Sequence, residues 1–223
     1  TSCHESTRKI DGVQRLRLGL YTMMREGSAW RDVAEVIKCI TEQRLDTRHA
    51  ILVTDDRHPE TLTTQGHVDD VVRRAIEEGV DPITAVQMAT LNTAEHFKVS
   101  RDIGSVAPSK CADILILDSL SKVSVDTVIA DGVVVAKQGR MLVDLAPPKY
   151  PDFVKRSIHL KRQLTAENFV VNAPIREGKV KVHVIGVVEA KVFTRHLQEE
   201  LPVEKGKVRL SVGKDIAKVA VVE

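Results

Sequence analysis

Short apolar runs alternate with stretches of helical periodicity through the first hundred residues, and few folds accept that order. Ile10, Val13, Leu16 and Leu20 mark the apolar stripe of a first helix, with Ser6 or Thr7 as its cap. Residues 20–25 suit a buried strand, after which Glu26, Gly27 and Ser28 turn the chain. A second helix starts at Ser28 and buries Val33, Val36, Ile37 and Ile40. The next strand, 50–54, ends on Asp55 and Asp56, and the break at Pro59 follows. A helix over 67–78 closes at Gly79, which suits a C-terminal cap. Asp81 and Pro82 open a further helix that runs to about Phe97, as N-cap and first-turn proline.

That order predicts parallel strands joined by helical crossovers. If such a sheet closes, it is a (β/α) barrel with its chemistry at the C-terminal ends of the strands. Two or three strands cannot close a barrel, so the rest is expected before Thr1. The strand-like run Val219–Val222 with Glu223 carries the same expectation at the other end, that of a piece of something longer.

From about residue 103 the pattern changes to short strands. Ala112–Asp118 is one, and Thr127–Ala130 and Val133–Ala136 form a hairpin about Asp131-Gly132, a strong two-residue turn signal. Pro147, Pro148 and Pro151 bracket a stiff linker. Beyond it, Lys179–Glu189 and Val208–Val212 read as strands, with Gly213, Lys214 and Asp215 as a turn. The expected fold class is therefore α/β: residues 1–100 as the C-terminal part of a (β/α)8 TIM-like barrel, 101–147 as a small β-sandwich module, and 148–223 as a linker with the start of an α+β domain.

Composition narrows the partners. The formal charge is +2 and aromatic residues make up 3% of the chain, so there is neither a basic footprint nor a stacking platform for nucleic acid. No apolar run approaches the roughly 18 residues that span a bilayer, so no membrane partner is expected. Cys3, Cys39 and Cys111 are scattered and form neither a CxxC zinc pattern nor a disulfide framework. A reducing, cytoplasmic setting follows, with Cys39 and Cys111 as small buried hydrophobes.

Two polar clusters fall at candidate strand ends: His4-Glu5 and Asp55-Asp56, with Glu26 and Ser28 nearby in the pattern. Imidazole together with carboxylate suits a first-row transition metal, and a carboxylate beside a bound water can carry its proton. An open catalytic site needs at least three protein ligands, and His4 and Asp55 are two. A polar turn after a strand, and a hydrogen-bonded surface histidine, are the bland alternatives.

Longer motifs add a resemblance. The run Val53-Thr54-Asp55-Asp56-Arg57-His58-Pro59-Glu60, with Gly66-His67-Val68-Asp69, resembles the last barrel strand and loop of the bacterial adenine deaminase family, within the metal-dependent amidohydrolases. Arg17–Tyr21 through Met24-Arg25-Glu26-Gly27-Ser28 is similar to its penultimate strand, and Asp81–Ala85 with Met88–Glu95 to its final helix. Ile103–Pro108 and Ala112–Asp118 resemble the small β module that many amidohydrolases share.

The resemblance implies an enzyme that hydrolyses adenine to hypoxanthine and ammonia, with metal-bound hydroxide attacking the ring carbon that carries the amino group. It implies His4 and Asp55 as metal ligands, and Asp55 also as the proton shuttle. Asp56 is implied on the substrate side, near a purine ring nitrogen. Strand-end position adds Glu5 to the catalytic group and Ser28 to the substrate group, while Arg57, His58 and His67 shape the loop. The implied cofactor is a divalent transition metal, Mn or Fe with Zn as a further choice, as one or two ions. The implied partners are a purine base and, for the full-length protein, a second copy in a homodimer. Family members place an Asp where Cys3 stands, and carry a His-x-His pair, a bridging acid and a further histidine that this chain lacks. The isolated chain is accordingly expected to be inactive. Two other readings stand beside this one: an amidohydrolase that cleaves a cyclic amide or an N-acyl group, and a non-catalytic binding or structural fragment.

Overall fold

A computed structural model describes residues 1–222 of the chain. It divides into two compact units, Thr1–Leu145 with Glu189–Val192, and Ala146–Val188 with Phe193 onward.

The first unit begins with β1 (Ser2–Cys3), α1 (Lys9–Arg17), β2 (Tyr21–Arg25), α2 (Val33–Val36), α3 (Lys38–Thr41) and β3 (Ala50–Val53). The three strands pair in parallel in the order β1-β2-β3. Parallel pairing forces each connection to cross over, and the helices do so. Then come α4 (Pro59–Thr64), α5 (Val68–Glu77), α6 (Pro82–Ala89) and α7 (Leu91–His96). Ala50, Ile51 and Leu52 of β3 are all buried, as expected of a parallel strand covered on both faces. One continuous core joins Met24 and Leu52 of the sheet to Val33 and Val36 of α2, Val71 of α5 and Met88 of α6.

An antiparallel sheet completes the unit: β4 (Ile114–Ser119), β5 (Ser124–Ala130), β6 (Val133–Lys137) and β7 (Arg140–Met141), paired in sequence order. The turn at Asp131-Gly132 has φ of 50° and 76°, the two positive values that a type I′ hairpin requires. In the second unit, α8 (Asp152–Lys155) precedes β8 (Gly178–Gly186), β9 (Arg195–Glu204) and β10 (Lys207–Val208). These form an antiparallel sheet ordered β10-β9-β8.

Several expectations change. Helix α1 starts later than Ser6 or Thr7, and the Asp11 carboxylate accepts the N–H groups of Thr7 and Arg8 at 3.2 and 3.0 Å. Ile10, placed on its apolar stripe, is 49% exposed. The helix expected from Ser28 begins at Val33 and divides in two after Val36. The helix from Asp81 breaks at Thr90, although Asp81 caps it as anticipated, its Oδ1 accepting from Thr84 N at 3.0 Å. Cys39 is buried, but Cys111 is exposed. Of the strand expected over Val208–Val212 only Val208 lies in a strand, as the last residue of β10, and Val219–Val222 pairs with nothing among the described residues. Glu223, the end of that last run, lies outside the described residues.

Candidate active site

Parallel register brings three strand ends to one edge. Cys3 pairs with Thr22, and Arg25 with Val53, so the residues that follow β1 and β3 emerge on the side where β2 ends. His4 and Glu5, Arg25 and Glu26, and Asp55 and Asp56 therefore share that edge.

Arg25 organises it. Its side chain is wholly inaccessible. Nε donates to Asp32 Oδ2 at 3.0 Å, and Nη1 donates to Asp55 Oδ2 at 2.9 Å and to Glu5 Oε2 at 3.3 Å. Burial draws the guanidinium pKa down, and the bonds to Asp32 and Asp55 more than reverse this, so it is held above its ordinary value. Trp30 lies beneath it, with the guanidinium carbon 5.1 Å from the ring centre. Asp32, also fully buried, accepts from Lys191 Nζ at 3.0 Å through its other oxygen. Glu5 reaches His4 as well, with Oε1 3.2 Å from Nε2. His4, Glu5 and Asp55 are thus linked through one arginine. Asp55 itself has φ of 58°, a left-handed conformation uncommon for a residue other than glycine.

Asp56 and Ser28 form a second group. Asp56 Oδ2 accepts from the backbone N–H groups of Ser28 and Ala29 at 3.1 and 2.7 Å. Ser28 Oγ donates to Thr61 Oγ1 at 2.7 Å and accepts from His58 N at 2.9 Å. The glycine in the turn is obligatory here, because a Cβ on Gly27 would overlap Asp56 Oδ1. Behind this loop Arg57 donates to the Glu26 carbonyl at 2.9 Å and to Asp70 Oδ2 at 2.7 Å. Burial raises the Glu26 carboxyl above the usual range, against the pull of Arg74 and the Val33 N–H. His67 contributes only its backbone N–H, to Asp69 at 2.7 Å.

These side chains do not by themselves make a metal centre. Among the described residues no three His, Cys, Asp or Glu side chains converge on a common point. His4 Nε2 faces Glu5, and Asp55 Oδ2 faces a guanidinium, so the two expected ligands are each engaged with another charged group.

Arg25 and Asp32 were not singled out from sequence. The available signal was an arginine as the last residue of an otherwise apolar strand, with an aspartate seven positions on at the head of a helix.

Residues 30–135 match the amidohydrolase family model. The β-aspartyl dipeptidase of Fervidobacterium islandicum AW-1, solved with a β-Asp-Leu dipeptide, superposes on 65% of this chain and 41% of its own with a TM-score of 0.50. At 20% identity that is a likeness of fold alone. Residues 30–135 are amidohydrolase-like in sequence, and the chain has an α/β fold of TIM-barrel type. Adenine deaminases match it from end to end: that of Moorella thermoacetica is 55% identical over 100% of the chain, and that of Rubrobacter xylanophilus is 50% identical over the same share. Another, from Clostridium botulinum, is 44% identical over 99%. The chain is thus similar to adenine deaminases along its whole length, and it spans about 37% of the length of these relatives.

Proposed function

We propose that this chain supplies part of an enzyme that hydrolyses adenine to hypoxanthine and ammonia. The observation that carries this is 55% identity, without a break in coverage, to an adenine deaminase. In the reaction a water oxygen bonds to the ring carbon that bears the amino group. The carbon–nitrogen bond breaks, and the amine leaves as ammonia with a proton taken from that water.

Asp55 is the proton carrier in this reading. One of its oxygens is held by Arg25, and the other makes no hydrogen bond among the described residues, which leaves it free to take a proton and return it. Glu5, on the same arginine nitrogen, is the second catalytic carboxylate. Asp56 and Ser28 serve the substrate side by bracing the loop that follows β2. Residues 1–100 are the C-terminal part of a (β/α)8 barrel, 101–147 a small β module, and 148–223 a linker and a further domain. The metal is divalent, Mn or Fe with Zn as a further choice, as one or two ions. His4 and Asp55 are two of its ligands, and the others come from outside these residues. The enzyme is a cytoplasmic homodimer.

The test is a substrate comparison with the complete protein that carries this sequence. Adenine, a cyclic amide and an N-acyl amino acid are supplied separately, and products are followed by ammonia release and chromatography. Ammonia and hypoxanthine in equal amounts from adenine are expected. Amide cleavage with no release from adenine would replace this function with a different amidohydrolase activity.

A further inference from the structure

We infer that Arg25 is a positioning residue, holding the Asp55 carboxylate in the orientation from which it transfers a proton. This rests on the deaminase reading above and adds a residue that the strand-end pattern did not single out. Three features of the site carry it.

The first is the geometry of the clamp. A guanidinium is a rigid planar fork, so the 3.0 Å bond from Nε to Asp32 also sets where Nη1 lies. Asp32 has no accessible surface and heads α2, so the anchor is fixed on the protein side. The Asp55 side chain retains 24% exposure on the other side. A buried anchor thus holds a carboxylate that is still open to a ligand.

The second is that Asp55 has Arg25 Nη1 as its one side-chain anchor among the described residues. Its backbone sits at φ of 58° just beyond β3, so the regular strand no longer directs the side chain.

The third is that the arrangement is poor as a stabilising device. Arg25 Nη2 is buried with no partner, and an unmade buried hydrogen bond of this kind costs on the order of 1–3 kcal/mol. Buried ion pairs in general add little net stability over a well-packed apolar group. A strand end of ordinary structural purpose would be served better by leucine or methionine. The unmatched donor lies on the same guanidinium that holds Asp55.

The experiment uses the complete protein with Arg25→Lys and with the double variant Arg25→Met/Asp32→Asn, which removes both members of the fully buried pair and leaves only the partly exposed Lys191, Asp55 and Glu5 without their former partners. Both should lower kcat for ammonia release from adenine by about 10²-fold, the usual scale for a displaced reacting group, with KM for adenine unchanged within about a factor of two. Lysine should not rescue, because one ammonium cannot hold Asp32 and Asp55 together. A crystal structure of Arg25→Lys should show the Asp55 carboxylate rotated from its place. Wild-type kcat in the double variant, alongside an inactive Asp55→Ala, would overturn the positioning role and leave the deaminase reading intact. Absence of adenine turnover in the wild type would overturn the deaminase reading instead. The Asp55 orientation in the Arg25→Lys crystal would then decide the positioning role alone, an unmoved carboxylate sinking it.

Discussion

Glu26 sits one residue beyond the arginine clamp, and its burial makes the fold sensitive to pH. An acid whose pKa is raised by folding binds its proton more tightly in the native chain than in the unfolded one. Its contribution is therefore most favourable below the ordinary carboxylate range and is lost as pH rises through the folded value. Glu26→Gln retains an acceptor for the Val33 N–H, which Glu26 Oε2 meets at 3.3 Å, and removes the buried charge. The variant should be more stable than the parent near neutral pH, and the advantage should vanish in acid. Urea midpoints at the two pH values check this, and equal gaps at both would contradict it. The cysteines differ in the same way that their surroundings do. Burial pushes the Cys39 thiol up to about 11, so it stays protonated at neutral pH, whereas Cys111 is exposed. A thiol reagent should label Cys111 at once and Cys39 only on unfolding, as peptide mapping of the labelled protein would show.

Among the elements, the close packing of α1 on α2 and α3 has a testable consequence. Gly12 of α1 lies against α2 and α3, where a Cβ would meet Cys39 Sγ at 3.0 Å and Val36 Cγ1 at 3.1 Å. Gly12→Ala gains helix propensity but must push two buried side chains aside. A net loss of about 1–3 kcal/mol is expected, as for other overpacked cores, and thermal unfolding would measure it. Elements with a strong pattern were legible in the sequence. Strand β3 is an unbroken apolar run, and α5 places Val71, Val72 and Ala75 on one buried face. The Asp131-Gly132 turn announces its hairpin by residue type alone. Strand β9 was not read, because His196, Gln198, Glu199 and Glu200 dilute its alternation and Pro202 counts against a strand; its pairing with β8 from Gly178–Val203 to Gly186–Arg195 supplies what local sequence does not. The break between α6 and α7 likewise has no proline or glycine to mark it.

At the scale of the whole molecule, the strand ends were legible as a site because parallel strands must finish together, and the acids after β1 and β3 do meet at one edge. Which acid faces which partner was not legible. Asp55 and Asp56 are neighbours in sequence, yet one bonds to a buried guanidinium and the other to two backbone N–H groups of a loop. The left-handed backbone of Asp55 itself, just beyond the strand, turns the two side chains apart, and such a turn leaves no periodic trace. The central claim is that Asp55 carries the proton in hydrolysis of adenine, and it is tested most directly by kcat for ammonia release in the complete protein with Asp55→Ala, against Lys122→Ala as a control at an exposed side chain. A loss on the order of 10³-fold in the first, within the range for a removed acid–base group, and near-parent turnover in the second is the predicted result. Parent-level deamination by the Asp55 variant would contradict it.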